Sequence, residues 1–422
     1  MKKTLSIIVS AVLMMGIFTG CGAENGGEKT TGTAVEFTGT EAKIQGGGCS
    51  FKDGVLTVSK SGTFTLSGEL NGSILVDAGT AQNDVYLVFD GLKVENPDGP
   101  AVLIQQAKNT RIELKEGSEN LLISGVEGRP FDEANATGAV IYSEDDLDID
   151  GTGKLEIKAY INNGIGCKDD LDINGGEITV SAVNNGIRAS ESFELKGGKL
   201  NITAGNDGIK TSSAKKEGKG FITISGGEAV IDAVGDGFSS AAELNIEDGV
   251  LNVKSQGADG IKADRQININ GGMVSVDAAD NGIKALTGLK LNGGTVNVVS
   301  AGDGLQAGDK HMDSIKTIEQ TGGELYVSCY KQGLNSPEIY LNGGVALVLQ
   351  NEELSGAAIS NVQPMICGEF EGAKGSTVSV ENLAELLSGS AYKTIIFSHG
   401  ELESGKEYSV SNGIKDITLT AK

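Results

Sequence analysis

The sequence predicts an all-β protein, a right-handed parallel β-helix with about 22 residues per coil and capped ends, from three observations. First, a short turn recurs eight times, as Asn-Asn-Gly-Ile at 162–165 and 184–187, Asn-Asp-Gly-Ile at 206–209, and variants around Gly237, Gly260, Gly282, Gly304 and Gly333. From Gly164 onward these glycines are 22, 22, 29, 23, 22, 22 and 29 residues apart, a period that marks a solenoid. Second, each period holds short stretches of period-2 alternation and no helical periodicity: Ile261 and Ala263 flank Lys262, Ile267 and Ile269 flank Asn268, and Val274, Val276 and Ala278 flank Ser275 and Asp277. Third, Gly-Gly pairs recur in phase, as at Gly175-Gly176, Gly197-Gly198 and Gly293-Gly294. Three strands and three turns make one coil, and Asn or Asp before Gly suits left-handed turns.

Taken in order, the chain opens with Lys2 and Lys3 before an apolar run from Leu5 to Phe18, too short and wrongly flanked to span a membrane. Phe18-Thr19-Gly20-Cys21 resembles the bacterial lipobox, with Phe18 where Leu is usual. Residues 1–20 therefore read as a lipoprotein signal peptide, Cys21 as the lipidated residue and 21–33 as a flexible tether, placing the protein on the extracellular side of the cell membrane. Residues 34–138 read as an N-terminal cap and irregular first coils, with long strands such as Val85–Phe89. Polar residues 126–137 read as an excursion. Regular coils run over 139–349, with seven extra residues at 211–219 and again at 308–315, insertions that become loops over one face. Residues 350–422 read as the closing cap, with a short helix or edge cover at 383–387 and strands at 394–397, 408–410 and 417–420.

The formal charge of −23, about −25 once residues 1–20 are removed, repels polyanions and excludes nucleic acid as a partner. Cys49, Cys167, Cys329 and Cys367 are widely spaced and form no disulfide framework or thiolate metal site; Cys167 and Cys329 occupy small inward positions.

The residues Ser61–Gly68, Val88-Phe89-Asp90-Gly91-Leu92, the Asn/Asp-Gly-Ile-Lys turns and Glu403–Tyr408 together resemble a bacterial lipoprotein family of parallel β-helix carbohydrate-binding proteins, related in fold to pectate lyases. The resemblance covers roughly 34–422. It implies calcium sites and binding to acidic plant polysaccharide such as polygalacturonate.

Stacked coils place equivalent residues about 4.8 Å apart, so the residue before each turn glycine forms a ladder: Asn163, Asn185, Asp207, Asp236, Asp259, Asn281, Asp303. Two bare carboxylates at ~5 Å repel by roughly 3 kcal/mol at an effective dielectric near 20. Ca²⁺, which prefers carboxylate and carbonyl oxygens, would offset this. Asp232, Asp277 and Asp280 are further candidate ligands beside Asp207, Asp236, Asp259 and Asp303. A second ladder, two residues past the glycine, holds Arg188, Lys210, Lys262 and Lys284. Either these cations neutralise the aspartates internally or they meet the carboxylates of a uronate polymer alongside bridging calcium.

Catalysis is the weaker reading. The Asn-Thr-Asp, Gly-His-Gly and Arg-Ile-Lys motifs of polygalacturonases are absent, and the adjacent pairs Asp145-Asp146 and Asp169-Asp170 point to opposite sides of a strand. His311 and His399 stand near no nucleophile pattern. A calcium-dependent pectate lyase would need one of the ladder cations as a base with lowered pKa. The absence of tryptophan argues against a flat aromatic platform; Tyr326, Tyr330 and Tyr340 near the last coils either stack on a sugar or serve as core-edge or cap residues. The expected function is thus non-catalytic binding of acidic polysaccharide, with a lyase and a passive adhesin or envelope spacer as alternatives.

Overall fold

The computed structural model describes residues 32–79, 83–129, 138–213, 218–308, 316–352, 358–359 and 362–422, with Gly32–Lys422 as one compact unit. The signal peptide, Cys21, His311 and, from the two insertions, residues 214–217 and 309–315 lie outside the described residues. Among the described residues every regular element is a strand, and the strands form sheets of 27, 13 and 4 members.

Pairing follows the period. Ile165 lies beside Ile187, Ile187 beside Ile209, Ile209 beside Phe238, and Phe238 beside Ile261, all in parallel. Each coil thus contributes one strand to each of three columns. The first is the sheet of short strands such as Ile261–Ala263. The second holds strands such as Gln266–Ile269, and the third strands such as Met273–Ala278. The second and third merge into one sheet because the early strands Gly62–Asn71 and Asp84–Asn96 run through both.

The period-2 alternation becomes an inside and an outside. Inward Ile, Leu, Val and Ala form one continuous apolar core along the stack. Cys167 and Cys329 belong to it, and burial pushes both thiols up to about 12, which keeps them unreactive. Outward on the third column, Glu119, Lys154, Glu177, Lys199 and Glu228 alternate in sign from coil to coil. A one-coil slip would set like charges side by side, so this edge helps hold the register.

Glycine has two different jobs here. The second residue of each Gly-Gly pair is left-handed, as at Gly176 (φ +87°) and Gly294 (φ +78°). The repeated Asn/Asp-Gly turn is not left-handed at either residue, contrary to the sequence expectation. Its glycine is required by close approach instead. A Cβ on Gly260 would stand 2.2 Å from Val276 Cγ1 and 2.7 Å from the carbonyl oxygen of Gly282 in the next coil.

The caps also differ in detail. At the start, Ala42–Gln45 folds back antiparallel on Thr33–Gly39, and Cys49–Lys52 on Val55–Val58. At the far end, parallel pairing persists through Val345–Gln350, beyond Tyr340 where the turn motif fades. Residues 384–387 form a strand rather than a helix, at the edge of the four-stranded sheet. That sheet leans on the outer face of the third column, where Leu347, Leu349, Phe370, Tyr392 and Phe397 make a second core.

Candidate functional site

The ladder before the turn glycine is real, and it faces inward. Asn163, Asn185, Asp207, Asp236, Asp259, Asn281 and Asp303 are only 4–8% exposed. Each side-chain Oδ1 accepts a backbone N–H from the next coil. Asp207 takes that of Asp236 (2.9 Å), Asp236 that of Asp259 (3.1 Å), Asp259 that of Asn281 (3.2 Å) and Asp303 that of Gln332 (3.1 Å). Asparagine does the same job at Asn163, Asn185 and Asn281.

The second carboxylate oxygen is spent as well. Lys262 of the next coil reaches Asp236 Oδ2 at 3.5 Å, and Lys284 reaches Asp259 Oδ2 at 3.5 Å. Where the next coil offers Ser239, Lys210 of the same coil pairs with Asp207 Oδ2 instead, at 2.7 Å. Asn335 donates to Asp303 Oδ2 at 2.6 Å. Arg188 lies beside neutral Asn185, is exposed, and has no ion-pair partner among the described residues.

This arrangement does not fit calcium, which takes six to eight oxygens. Both oxygens of each ladder carboxylate already hold donors, and an ammonium or amide stands where the cation would sit. Asp232 and Asp277 are separated along their lane by Lys254, which pairs with Asp232 at 3.5 Å. Asp280 lies between Ala258 and Gly302, which carry no ligand side chain. No group of three or more acidic, His or Cys side chains converges as a metal site among the described residues.

Burial raises the Asp236 carboxyl pKa; Lys262 opposes the rise, while Asp207 and Asp259 add to it. A carboxyl that binds its proton more readily when folded costs stability above its folded pKa, a cost that vanishes as pH falls below the unfolded value. Asp236→Asn, which keeps the Oδ1 acceptor, should therefore melt about 2 °C or more above wild type at neutral pH. The difference should shrink toward pH 4. A lower melting temperature at neutral pH would mean the Lys262 pair outweighs the burial cost.

One acidic group was not singled out by spacing. Asp146, Asp169, Asp170 and Glu191 gather where the first column turns into the second, around Lys219, which reaches Glu191 at 2.5 Å and Asp170 at 3.4 Å. Burial raises the carboxyl pKa of Asp146 and Asp169. The sequence reads them as separated pairs; stacking of successive coils brings them together.

The open, donor-rich surface lies on the third column. Beside the row of alternating charge at Glu119 to Glu228, its outer face carries two further lanes. One runs Thr179, Asn201, Val230, Asn252, Ser275, Asn297, Tyr326; the other runs Ser181, Thr203, Asp232, Lys254, Asp277, Val299, Ser328. Asparagines elsewhere bond to one another along the stack, as Asn268 to Asn245 and Asn292 to Asn270, both at 2.8 Å. Asn201, Asn252 and Asn297 have no such partner among the described residues, because their lane neighbours are Thr, Val, Ser or Tyr. Where the lanes meet the closing sheet they enter a groove of about 550 Å³ lined by Lys254, Asp277, Val299, Tyr330, Lys374 and Gly389. Tyr330 is 59% exposed. Tyr326 instead packs against the second core, and Tyr340 donates to Glu338 at 2.7 Å. Sequence reasoning missed Lys374, since only the closing sheet brings it beside Tyr330.

A parallel-strand solenoid with an open polar groove along its side is a protein of repeat architecture. A family model described as carbohydrate-binding domain-containing protein matches residues 52–259 and again 248–419, and the chain belongs to this family. A relative of the same description from Acetivibrio thermocellus is 39% identical over 278 residues, covering 64% of this chain and 96% of the relative. A solved structure described as the polysaccharide lyase-like protein from C. thermocellum, a gadolinium derivative, is similar at 29% identity and a TM-score of 0.47, over 68% of this chain and 97% of that one.

Proposed function

We propose that this chain binds acidic polysaccharide without cleaving it, along the outer face of the third column of a right-handed β-helix. The observation that carries the reading is the row of amides and hydroxyls at Asn201, Asn252, Ser275 and Asn297, without side-chain hydrogen-bond partners among the described residues, leading into the groove at Tyr330. Amide and hydroxyl groups exchange hydrogen bonds with sugar hydroxyls, and an exposed tyrosine offers a face for a sugar ring. Lys254, whose 3.5 Å pair with Asp232 leaves its side chain 55% exposed, and Lys374 line the groove together with Asp277 and favour a sugar that bears carboxylates over a neutral one. Lys254 is the more exposed cation, paired only with a surface carboxylate, whereas Lys210, Lys262 and Lys284 pair with the buried aspartates of the ladder.

A lyase base must lose its proton near neutral pH. Burial pulls the Lys262 ammonium down, but Asp236 and Asp259 more than offset it, and its net shift is upward. That argues for binding over cleavage at the ladder.

The experiment is a binding panel of polygalacturonate, methyl-esterified pectin and a neutral glucan, with and without EDTA, alongside the ultraviolet absorbance of unsaturated lyase product. Preference for the free acid, unchanged by EDTA and without product, is expected. Binding that vanishes in EDTA would restore a calcium bridge, product would make the protein a lyase, and binding to none would leave a spacer.

The anchor belongs to the same proposal. Cys21 stands behind small residues at the end of the apolar run, so Cys21→Ala should move the protein from the membrane fraction to the medium. Retention of the variant in membranes would overturn the lipid anchor.

A further inference from the structure

We propose that the groove receives the end of a polysaccharide chain rather than its middle. The inference rests on the carbohydrate-binding reading above and concerns how the track along the third column stops. Ser328 Oγ accepts the backbone N–H of Gly389 (2.9 Å) and of Ser390 (3.1 Å), which pins the loop of the closing sheet across the track. The loop backbone sits hard against the lane: a Cβ on Gly389 would lie 2.6 Å from Val299 Cγ1. Beyond it, Ser328, Leu347 and Leu349 are fully buried under the closing sheet. The Ser181 lane ends as a surface at Val299, and the Thr179 lane narrows to half-buried Tyr326 and ends at buried Leu347.

The other direction is open. Asn252, Val230, Asn201 and Thr179 stay on the surface down to a second groove of about 570 Å³ at the first coils, lined by Leu121, Lys154 and Thr179 among others. From the early strand Asp84–Asn96 to Thr295–Ser300 the track spans eight strand spacings, or about 40 Å at about 4.8 Å each. A polymer laid along it meets a wall at one end only. Its terminal sugar then lies between Tyr330, Lys254 and the Lys374 side of the closing sheet, with the body of the chain running toward the first coils.

Calorimetric titration of the wild-type protein with short, intermediate and long polygalacturonate chains tests this. About one protein should bind per chain whatever its length, with molar affinity levelling off after a few sugar units. Borohydride reduction or enzymatic modification of one terminus should weaken binding at least tenfold, and the terminus that matters gives the polarity of the bound chain. A number of bound proteins that grows in proportion to chain length would overturn end recognition while leaving lateral binding intact. Absence of binding to all three chains would overturn the carbohydrate reading itself, and this inference with it.

Discussion

Gly260→Ala should destabilise the protein by about 3 kcal/mol or more, although it adds a single methyl group. The new Cβ would lie 2.2 Å from Val276 Cγ1 and 2.7 Å from the Gly282 carbonyl oxygen. Neither neighbour can yield cheaply. Val276 is β-branched, buried in the core and stiff at χ1. The Gly282 carbonyl accepts the Ile261 N–H at 3.0 Å and is part of the contact between coils. Because each coil touches only its neighbours, a defect here should uncouple the two halves of the stack and broaden or split thermal unfolding. Gly47→Ala is the control, since a Cβ there meets nothing within 4 Å and the backbone is not left-handed. Equal melting curves for the two variants would show that the turn glycine tolerates a side chain.

Tyr330→Ala should lower affinity for polygalacturonate about tenfold, ~1.4 kcal/mol, with little change in melting temperature. The ring is exposed, so the fold gains little from it, whereas a bound sugar would lose its flat apolar contact. Tyr340→Phe, which removes only a hydroxyl bonded to Glu338, should leave binding unchanged. Equal affinity for Tyr330→Ala and wild type would move the site away from the groove at the closing sheet.

The sequence by itself determined the stack. Period 22, the in-phase Gly-Gly turns and the inward alternation of Ile261, Ile267 and Val274 repeat in every coil, so local pattern and global fold coincide. It also placed the Asn/Asp ladder at the right positions and weighed internal neutralisation by lysine. What it could not supply was direction. An aspartate repeated once per coil reads the same whether its carboxylate faces water and a metal or turns inward to accept the next coil's N–H. Nor does spacing distinguish a glycine needed for its φ from one needed because Val276 leaves no room for a Cβ. Both answers depend on contacts between coils. The groove lies further still from the repeat, because it exists only where the closing sheet folds back over the third column. That contact sets Lys374 and Gly389 beside Tyr330 and Val299. Long-range packing of an aperiodic segment onto a periodic one leaves no period to read, and so the tertiary structure alone decided where the track ends.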